Sequence, residues 1–402
     1  MASEAATTRM EETPFDAVLD DLREAISEDL EPNLHDIDVN GAYPAAFMRR
    51  VGELGGFRQG TPADLGGAGR GVGYTIRVME EVSKTCLSTG FCVWCQTVCA
   101  WYVQNSGNVH LKERVLPAVI SGDARAGTGL SNPMKHFAGI ERIKLSATRQ
   151  PDGYVLNGAI PWVSNVDDGG GAGGQYFAVA AGDENEDSYT MAIVPSGSEG
   201  LKMRNGGQFI ALEGSSTWGW RFKVVPIPDE YVLASPAEEF VRRIRPGFIL
   251  TQSGIGLGLV ASCIELMKKS NNRADIKKSG VNGFLDDGVE ELEAELNAAR
   301  RGVYALADEI GCDGEDLRDD LFRDAVEARL RVSELSLRAS QAAMLHAGAG
   351  GYLQHGAAER KLRESYFVAI VTPALKQLRK MLHDTREADT QHTNGSTERS
   401  SA

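Results

Sequence analysis

The sequence is poor in positive charge. Its 42 Lys and Arg residues face 56 Asp and Glu, for a formal net charge of -14. Phosphate binding needs a concentrated basic surface, so no nucleic-acid partner is expected. Long uninterrupted apolar runs are missing as well. The most apolar window, Phe248 to Val260, is broken by Gln252, Ser253 and three glycines, and it reads as a buried helix rather than a bilayer span. The opening MASEAATTRMEETPFD carries acidic residues and no apolar h-region. It predicts neither a signal nor a transit peptide, and hence a cytoplasmic setting.

Cysteine is sparse: Cys86, Cys92, Cys95, Cys99, Cys263 and Cys312. The spacing of Cys92, Cys95 and Cys99 puts three thiols on one helical face, and a thiolate metal site can be drawn there. It lacks a fourth nearby ligand and the paired CxxC spacing of structural zinc sites. With Phe91, Trp94, Trp101 and Tyr102 around them, these read as buried free thiols, and no disulfide is expected.

What is present is a change of period along the chain. Residues 1–12 and 385–402 are polar and aperiodic, and read as disordered tails. Over 13–122 apolar residues recur at helical spacing, with Pro44 near a helix start and Gly55-Gly56 near a helix end. Near Gly127 the period shortens. DGYVLNGAIPWVSNV, QYFAVAAG, YTMAIVPS and WGWRFKVVPIP read as strands of a compact β domain over 123–236. The Gly-rich stretch Asp167 to Gly174 reads as a loop between strands. Over 237–384 four long helices are predicted, at 238–270, 286–311, 315–346 and 357–383, which argue for a bundle.

Five motifs in this order resemble the acyl-CoA dehydrogenase superfamily. YPAAFMRRVGELGGFRQGTPADLGGAGRG is similar to its helix-loop run ending in EEYGGAG. KERVLPAVISGDARAGTGLSNP resembles its segment ending in LTEP, and DGYVLNGAIPWVSNV its DGYVLNG.K.WITN. PDEYVL and HAGAGGYLQHGAAERKLRESY match a later strand end and a C-terminal glycine-rich run. The resemblance covers about residues 16 to 383. It implies an α+β multidomain fold: an N-terminal all-α domain, a middle antiparallel β-barrel or sandwich and a C-terminal four-helix bundle.

It also implies a flavin, FAD with FMN left open. A flat apolar ring with polar edges needs an aromatic platform and a few fixed hydrogen-bonding groups. By resemblance, Trp162 packs on the ring, with Val163 beside it, and Ser164 donates to the N5–O4 edge. Leu130 and Ser131 offer N–H groups and a hydroxyl to the pyrimidine edge. Gly348, Gly350, Gly351 and Tyr352 lie against the ADP half, often from a neighbouring subunit. The plainer readings are a core tryptophan, two turn serines and a glycine-capped interhelix turn.

The chain departs from the family in four places. The ER..FG element has no counterpart in SNNRADIKKSGVNGF, where Arg273 and Phe284 are too far apart. The Gln before the Gly-Gly turn aligns with Leu345. MKHFAG replaces AGSD after the TEP motif, leaving Lys135 and His136 as the basic residues there. The glutamate that removes a substrate α-proton falls on Thr372, whose hydroxyl is too weak a base. The alternative site on the first bundle helix carries Pro246, and Glu364 reads as half of a structural ion pair.

The expected function is oxidation of an acyl thioester or a related apolar substrate by hydride transfer to flavin N5. The alternative is a two-component monooxygenase fed with reduced flavin, and a second alternative is a non-catalytic flavin-binding relative. A flavin reductase or an electron-acceptor protein is the partner these readings imply, on a homodimer or homotetramer. Phe91, Trp94, Trp101 and Phe367 are candidates for an apolar pocket.

Overall fold

The computed structural model describes residues 14–169, 174–183, 188–312, 318 and 320–385. The expected tails, residue 385 excepted, and the centre of the Gly-rich stretch at 170–173 lie outside the described residues. The N-terminal part holds α1 (Phe15–Ala25), α2 (Leu34–Val39), α3 (Ala45–Glu53), α4 (Val72–Thr85), α5 (Leu87–Asn105) and α6 (Leu116–Ser121). Pro44 is the N-cap of α3, and Gly55, in the left-handed region at φ 77°, turns the chain out of it. Every residue of α5 is buried, which no amphipathic surface helix would tolerate. The helix is the axle of the molecule. Its Cys92, Cys95 and Cys99 are free and buried, and burial raises each thiol pKa.

The middle part is built from β1 (Arg125–Thr128), α7 (Ser131–Phe137), β2 (Leu145–Gln150), β3 (Gly153–Val163), β4 (Gln175–Asp183), β5 (Tyr189–Pro195), β6 (Leu201–Arg204), β7 (Trp218–Pro228) and β8 (Val232–Ala234). The strands run in the order β6-β7-β3-β2-β4-β5-β8, with β1 paired to β4. The sheet is mixed where antiparallel pairing was expected, because β1 and β2 both run parallel to β4. Alternation along β4 gives the sheet two apolar faces. Phe177, Val179 and Ala181 join Leu156, Ile160, Trp220 and Phe222 in a core made by the sheet alone. Such residues can be buried without a helix over them only if the sheet curls on itself. Ala178 and Ala180 point the other way, into the helical core. α7 interrupts the strand region where sequence periodicity gave no helix.

The C-terminal part comprises α8 (Glu238–Thr251), α9 (Ser253–Asn271), α10 (Ala274–Ser279), α11 (Val289–Ile310), α12 (Leu321–Ala347), α13 (Ala357–Ile370) and a helix over residues 375–385. Two expected helices are broken. The one over 238–270 divides at Gln252, whose carboxamide leaves the helix to bind elsewhere. The one over 357–383 stops at Ile370, because Pro373 cannot donate its missing N–H and disfavours helical geometry at Thr372. Glu238–Asn271 is long and apolar enough to cross a membrane by length and composition, and 94% of its most apolar window is buried inside the protein.

A buried ion pair ties α13 to the turn between α4 and α5. Lys361 Nζ lies 2.8 Å from Glu364 Oε2, and both side chains are about 1–2% exposed. Glu364 Oε1 accepts from the Leu87 N–H at 3.2 Å, and Lys361 Nζ donates to the Ser83 carbonyl at 3.2 Å. Removing one partner of such a pair leaves the other charged and desolvated, at a cost of about 3–5 kcal/mol. Lys361→Met is therefore expected to lower stability in denaturant titrations, by less than that amount because Arg360 remains 3.8 Å from Glu364. Adding Glu364→Gln, which removes the stranded charge and keeps an acceptor for Leu87, should recover part of it.

Candidate functional site

β3 enters the site through an irregularity. Its pairing with β7 slips between Ile160 and Val163, around Pro161, which has no N–H for the ladder. Val163 remains buried in the sheet core, while Trp162 turns outward and is 42% exposed. Ser164, the first residue past the strand, is nearly buried. Trp162 and Ser164 face one cavity of about 330 Å³. That lies at the lower end of the roughly 300–1,000 Å³ of small-molecule sites.

The strand exit is held from behind. Asn165 has φ 69°, a left-handed conformation that asparagine tolerates better than most residues. Its side-chain amide donates to Gln96 Oε1 at 3.0 Å and to the Ala126 carbonyl at 2.8 Å. Its side-chain oxygen accepts from the Tyr43 hydroxyl at 2.8 Å. Arg125 stacks 3.8 Å over the Tyr43 ring, donates to the Asn165 carbonyl and pairs with Asp167 at 2.5 Å. Burial of Tyr43 pushes its phenol pKa well up, so it stays a neutral donor. Of these five side chains none was singled out from the sequence for such a role, Asp167 entering only as one end of the Gly-rich stretch. The Asn of PWVSNV was the available signal.

The cavity wall opposite is aromatic. Phe91 and Trp94 of α5, Phe248 of α8 and Phe367 of α13 form a chain of rings 4.6–5.5 Å apart between centroids. Trp101 lies away from this cavity; it donates to the Ile244 carbonyl at 3.1 Å. Leu130 and Ser131 close one side at the start of α7, and Thr372 reaches the cavity through the break after α13. Ser131 and Thr372 share a hydrogen bond at 2.9 Å. Gln252 Nε2 donates to the Thr372 carbonyl at 2.9 Å, and Gln252 Oε1 accepts from Arg329 at 3.3 Å. Arg329 is fully buried, bonded also to Ser333 and to the Val368 carbonyl. Burial draws its pKa down to about 9, which leaves it cationic at neutral pH.

The charges at the cavity are both positive. Lys135 lies 3.5 Å from Glu141, and Arg363 pairs with Asp38 and Glu359 at 2.6 and 2.5 Å. The hydrogen bond to Asp38 holds the Arg363 guanidinium above its usual pKa. Arg363 also borders a second, polar cavity of about 450 Å³ with Asp38 and His355. Among the described residues, no carboxylate, imidazole or thiol lines the first cavity. Glu364 is turned away into its ion pair, and Pro246 is buried within α8.

The structure thus brings together Leu130, Ser131, Trp162, Ser164 and Thr372. It does not bring Gly348, Gly350, Gly351 or Tyr352 to them. These four form the turn after α12, where Gly348 takes φ 60° and Tyr352 is 86% exposed. Leu345 and Phe284 are exposed on the same end of the bundle, and Arg273 pairs with Asp275. An indole with an uncovered face, hydroxyls beside it and an aromatic wall opposite fit a flat ring with polar edges.

Comparisons with known proteins find acyl-CoA dehydrogenases similar to the chain in sequence and in fold. Residues 15–123 match the acyl-CoA dehydrogenase N-terminal domain. A probable acyl-CoA dehydrogenase of Bacillus subtilis, YngJ, is 25% identical over 365 residues, covering 87% of this chain and 91% of that protein. The human mitochondrial short-chain specific acyl-CoA dehydrogenase is 23% identical, with 88% and 85% covered. The fold is shared with an acyl-CoA dehydrogenase from Bacillus anthracis solved with FAD. The TM-score is 0.80 at 17% identity, over 94% of this chain and 68% of that one.

The Arg125–Asp167 latch gives a pH test. Burial alone would raise the Asp167 pKa, but hydrogen bonds from Gln175 and the Arg125 cation outweigh it and hold it below the usual carboxylate value. Such a group stabilises the fold fully above about pH 4, its unfolded pKa, and loses that contribution as pH falls through the lower folded value. Asp167→Asn should therefore lower the thermal midpoint at pH 7, and the gap from the parent protein should close as the pH is taken below about 4.

Proposed function

The chain belongs to the acyl-CoA dehydrogenase superfamily, and from that premise we propose that it is a flavin-dependent oxidoreductase acting on an acyl thioester or a related apolar substrate. The observation that carries this reading is the half-open indole of Trp162 beside Ser164 in an aromatic-walled cavity. Bound FAD would supply the hydride acceptor for oxidation of the substrate. Trp162 would cover one face of the ring, and Ser164, Ser131 and the backbone of Leu130 and Val163 would meet its polar edge. Phe91, Trp94, Phe248 and Phe367 would exclude water and hold an apolar substrate tail. Lys135 and Arg363 would attract its anionic end.

The missing base favours a second reading on the same site. The hydroxyl of Thr372 is engaged with Ser131, and no described residue lining the cavity is a carboxylate or an imidazole. A two-component monooxygenase, supplied with reduced flavin by a separate reductase, needs no residue to abstract an α-proton. In either reading the turn Gly348–Tyr352 would serve the ADP half of the cofactor across a subunit contact. Val281, Phe284, Leu345 and Leu353 give that end of the bundle an exposed apolar surface suited to a dimer or tetramer. A non-catalytic flavin-binding role would leave the aromatic wall without a substrate to hold.

Two measurements separate these readings. Anaerobic bleaching of FAD-loaded protein by acyl thioesters is expected if it is a dehydrogenase. Oxygen uptake with reduced flavin, without such bleaching, is expected if it is a monooxygenase. Trp162→Ala should weaken FAD binding roughly 10-fold or more, the scale of one lost aromatic stacking contact. Full retention of affinity by that variant would overturn the flavin reading.

A further inference from the structure

Three hydroxyl residues of the cavity wall, Ser215, Thr217 and Ser164, form one hydrogen-bonded line. Ser215 Oγ donates to the Leu212 carbonyl at 2.6 Å, and a carbonyl can only accept. Thr217 Oγ1 lies 2.7 Å from Ser215 Oγ and 2.6 Å from Ser164 Oγ. Oxygens this close need a hydrogen between them, since otherwise their lone pairs would repel. Each hydroxyl carries one proton. The carbonyl takes that of Ser215, so Thr217 must donate to Ser215, and Ser164 must donate to Thr217. Nothing is left over.

Ser164 therefore turns lone pairs, and no proton, towards the cavity. Donating along a chain also makes its oxygen a better acceptor. Trp162 lies two residues earlier and fixes where a bound ring would sit. The local sequence pointed to the opposite polarity, with Ser164 as donor, because the two hydroxyls that decide it come from a segment about 50 residues further on.

Resting on the proposed flavin reading, we infer that this site selects the redox state of the cofactor, holding reduced flavin more tightly than oxidised. The N5–O4 edge of the oxidised ring presents only acceptors, whereas the reduced ring carries an N–H at N5. An acceptor-only Ser164 meets the first with lone pairs against lone pairs and the second with a hydrogen bond. A net hydrogen bond is worth about 0.5–1.5 kcal/mol, or up to roughly 10-fold in affinity. Thr217, on this account, is a positioning residue: it sets the direction in which the Ser164 proton points.

The test is a pair of dissociation constants, for oxidised FAD and for dithionite-reduced FAD under anaerobic conditions. It is made on the full chain, on Thr217→Val and on Ser164→Ala. The parent protein should bind the reduced form about 10-fold more tightly, equivalent to a two-electron potential raised by ~30 mV over free flavin. Thr217→Val frees the Ser164 proton, so oxidised FAD should bind more tightly and the preference should vanish or invert. Ser164→Ala should lose the preference by weakening the reduced form, and it supplies the readout if the Thr217 variant misfolds. Equal ratios in all three proteins, or a parent that prefers oxidised FAD, would overturn the inference and leave the flavin reading standing. Failure of the parent to bind either form would overturn both.

Discussion

The carboxamide of Asn165 is buried behind the end of β3 with its amide shared between Gln96 and the Ala126 carbonyl, and its oxygen held by Tyr43. Its backbone is pinned too: the N–H donates to the Ser215 carbonyl at 2.9 Å, and the carbonyl accepts from Arg125. An unsatisfied buried polar group costs about 1–3 kcal/mol, and here several would be orphaned together. The site is built on that constraint. With Asn165 fixed, Ser164 has one place to be, the Leu212–Thr217 segment is docked against it, and Trp162 must turn to the open side of the strand.

The second half of the site is brought up by a helix that fails to continue. α13 carries Phe367 and Ile370 along one side, then gives way to Val371 and Thr372 before the helix over 375–385 resumes. Arg329 and Gln252 hold that break from within the bundle, through the Val368 and Thr372 carbonyls. A buried guanidinium with no carboxylate partner among the described residues is costly to keep, and its bonds to Gln252 and the Val368 carbonyl tie the helical core to the break. The same arrangement leaves the position of the usual base with a threonine that is bonded to Ser131. Among the described residues the cavity lining carries two cations, Lys135 and Arg363, and no carboxylate.

Much of this could be read along the chain. The order of helices, strands and helices follows from the change of hydrophobic period, and Trp162, Ser164, Leu130 and Ser131 were marked by local motifs that do converge on one cavity. What was missed has two causes. Some signals were local and passed over: Pro373 announces the break after α13, and Pro161 announces the irregularity that turns Trp162 out. The rest lies in contacts distant in sequence. No local pattern places Thr217 against Ser164, Arg363 against Asp38, or β1 and β2 parallel to β4. The glycine turn Gly348 to Tyr352 stands on the surface away from the cavity, so within one chain it meets none of the other motif residues.

The central claim is that the open face of Trp162 and the hydroxyl of Ser164 together receive a flavin ring. A crystal structure of the protein grown with FAD tests it most directly. The account predicts the tricyclic ring lying against the indole, with Ser164 Oγ at hydrogen-bonding distance from its edge. A ring bound elsewhere, with the indole still facing open solvent, would contradict it.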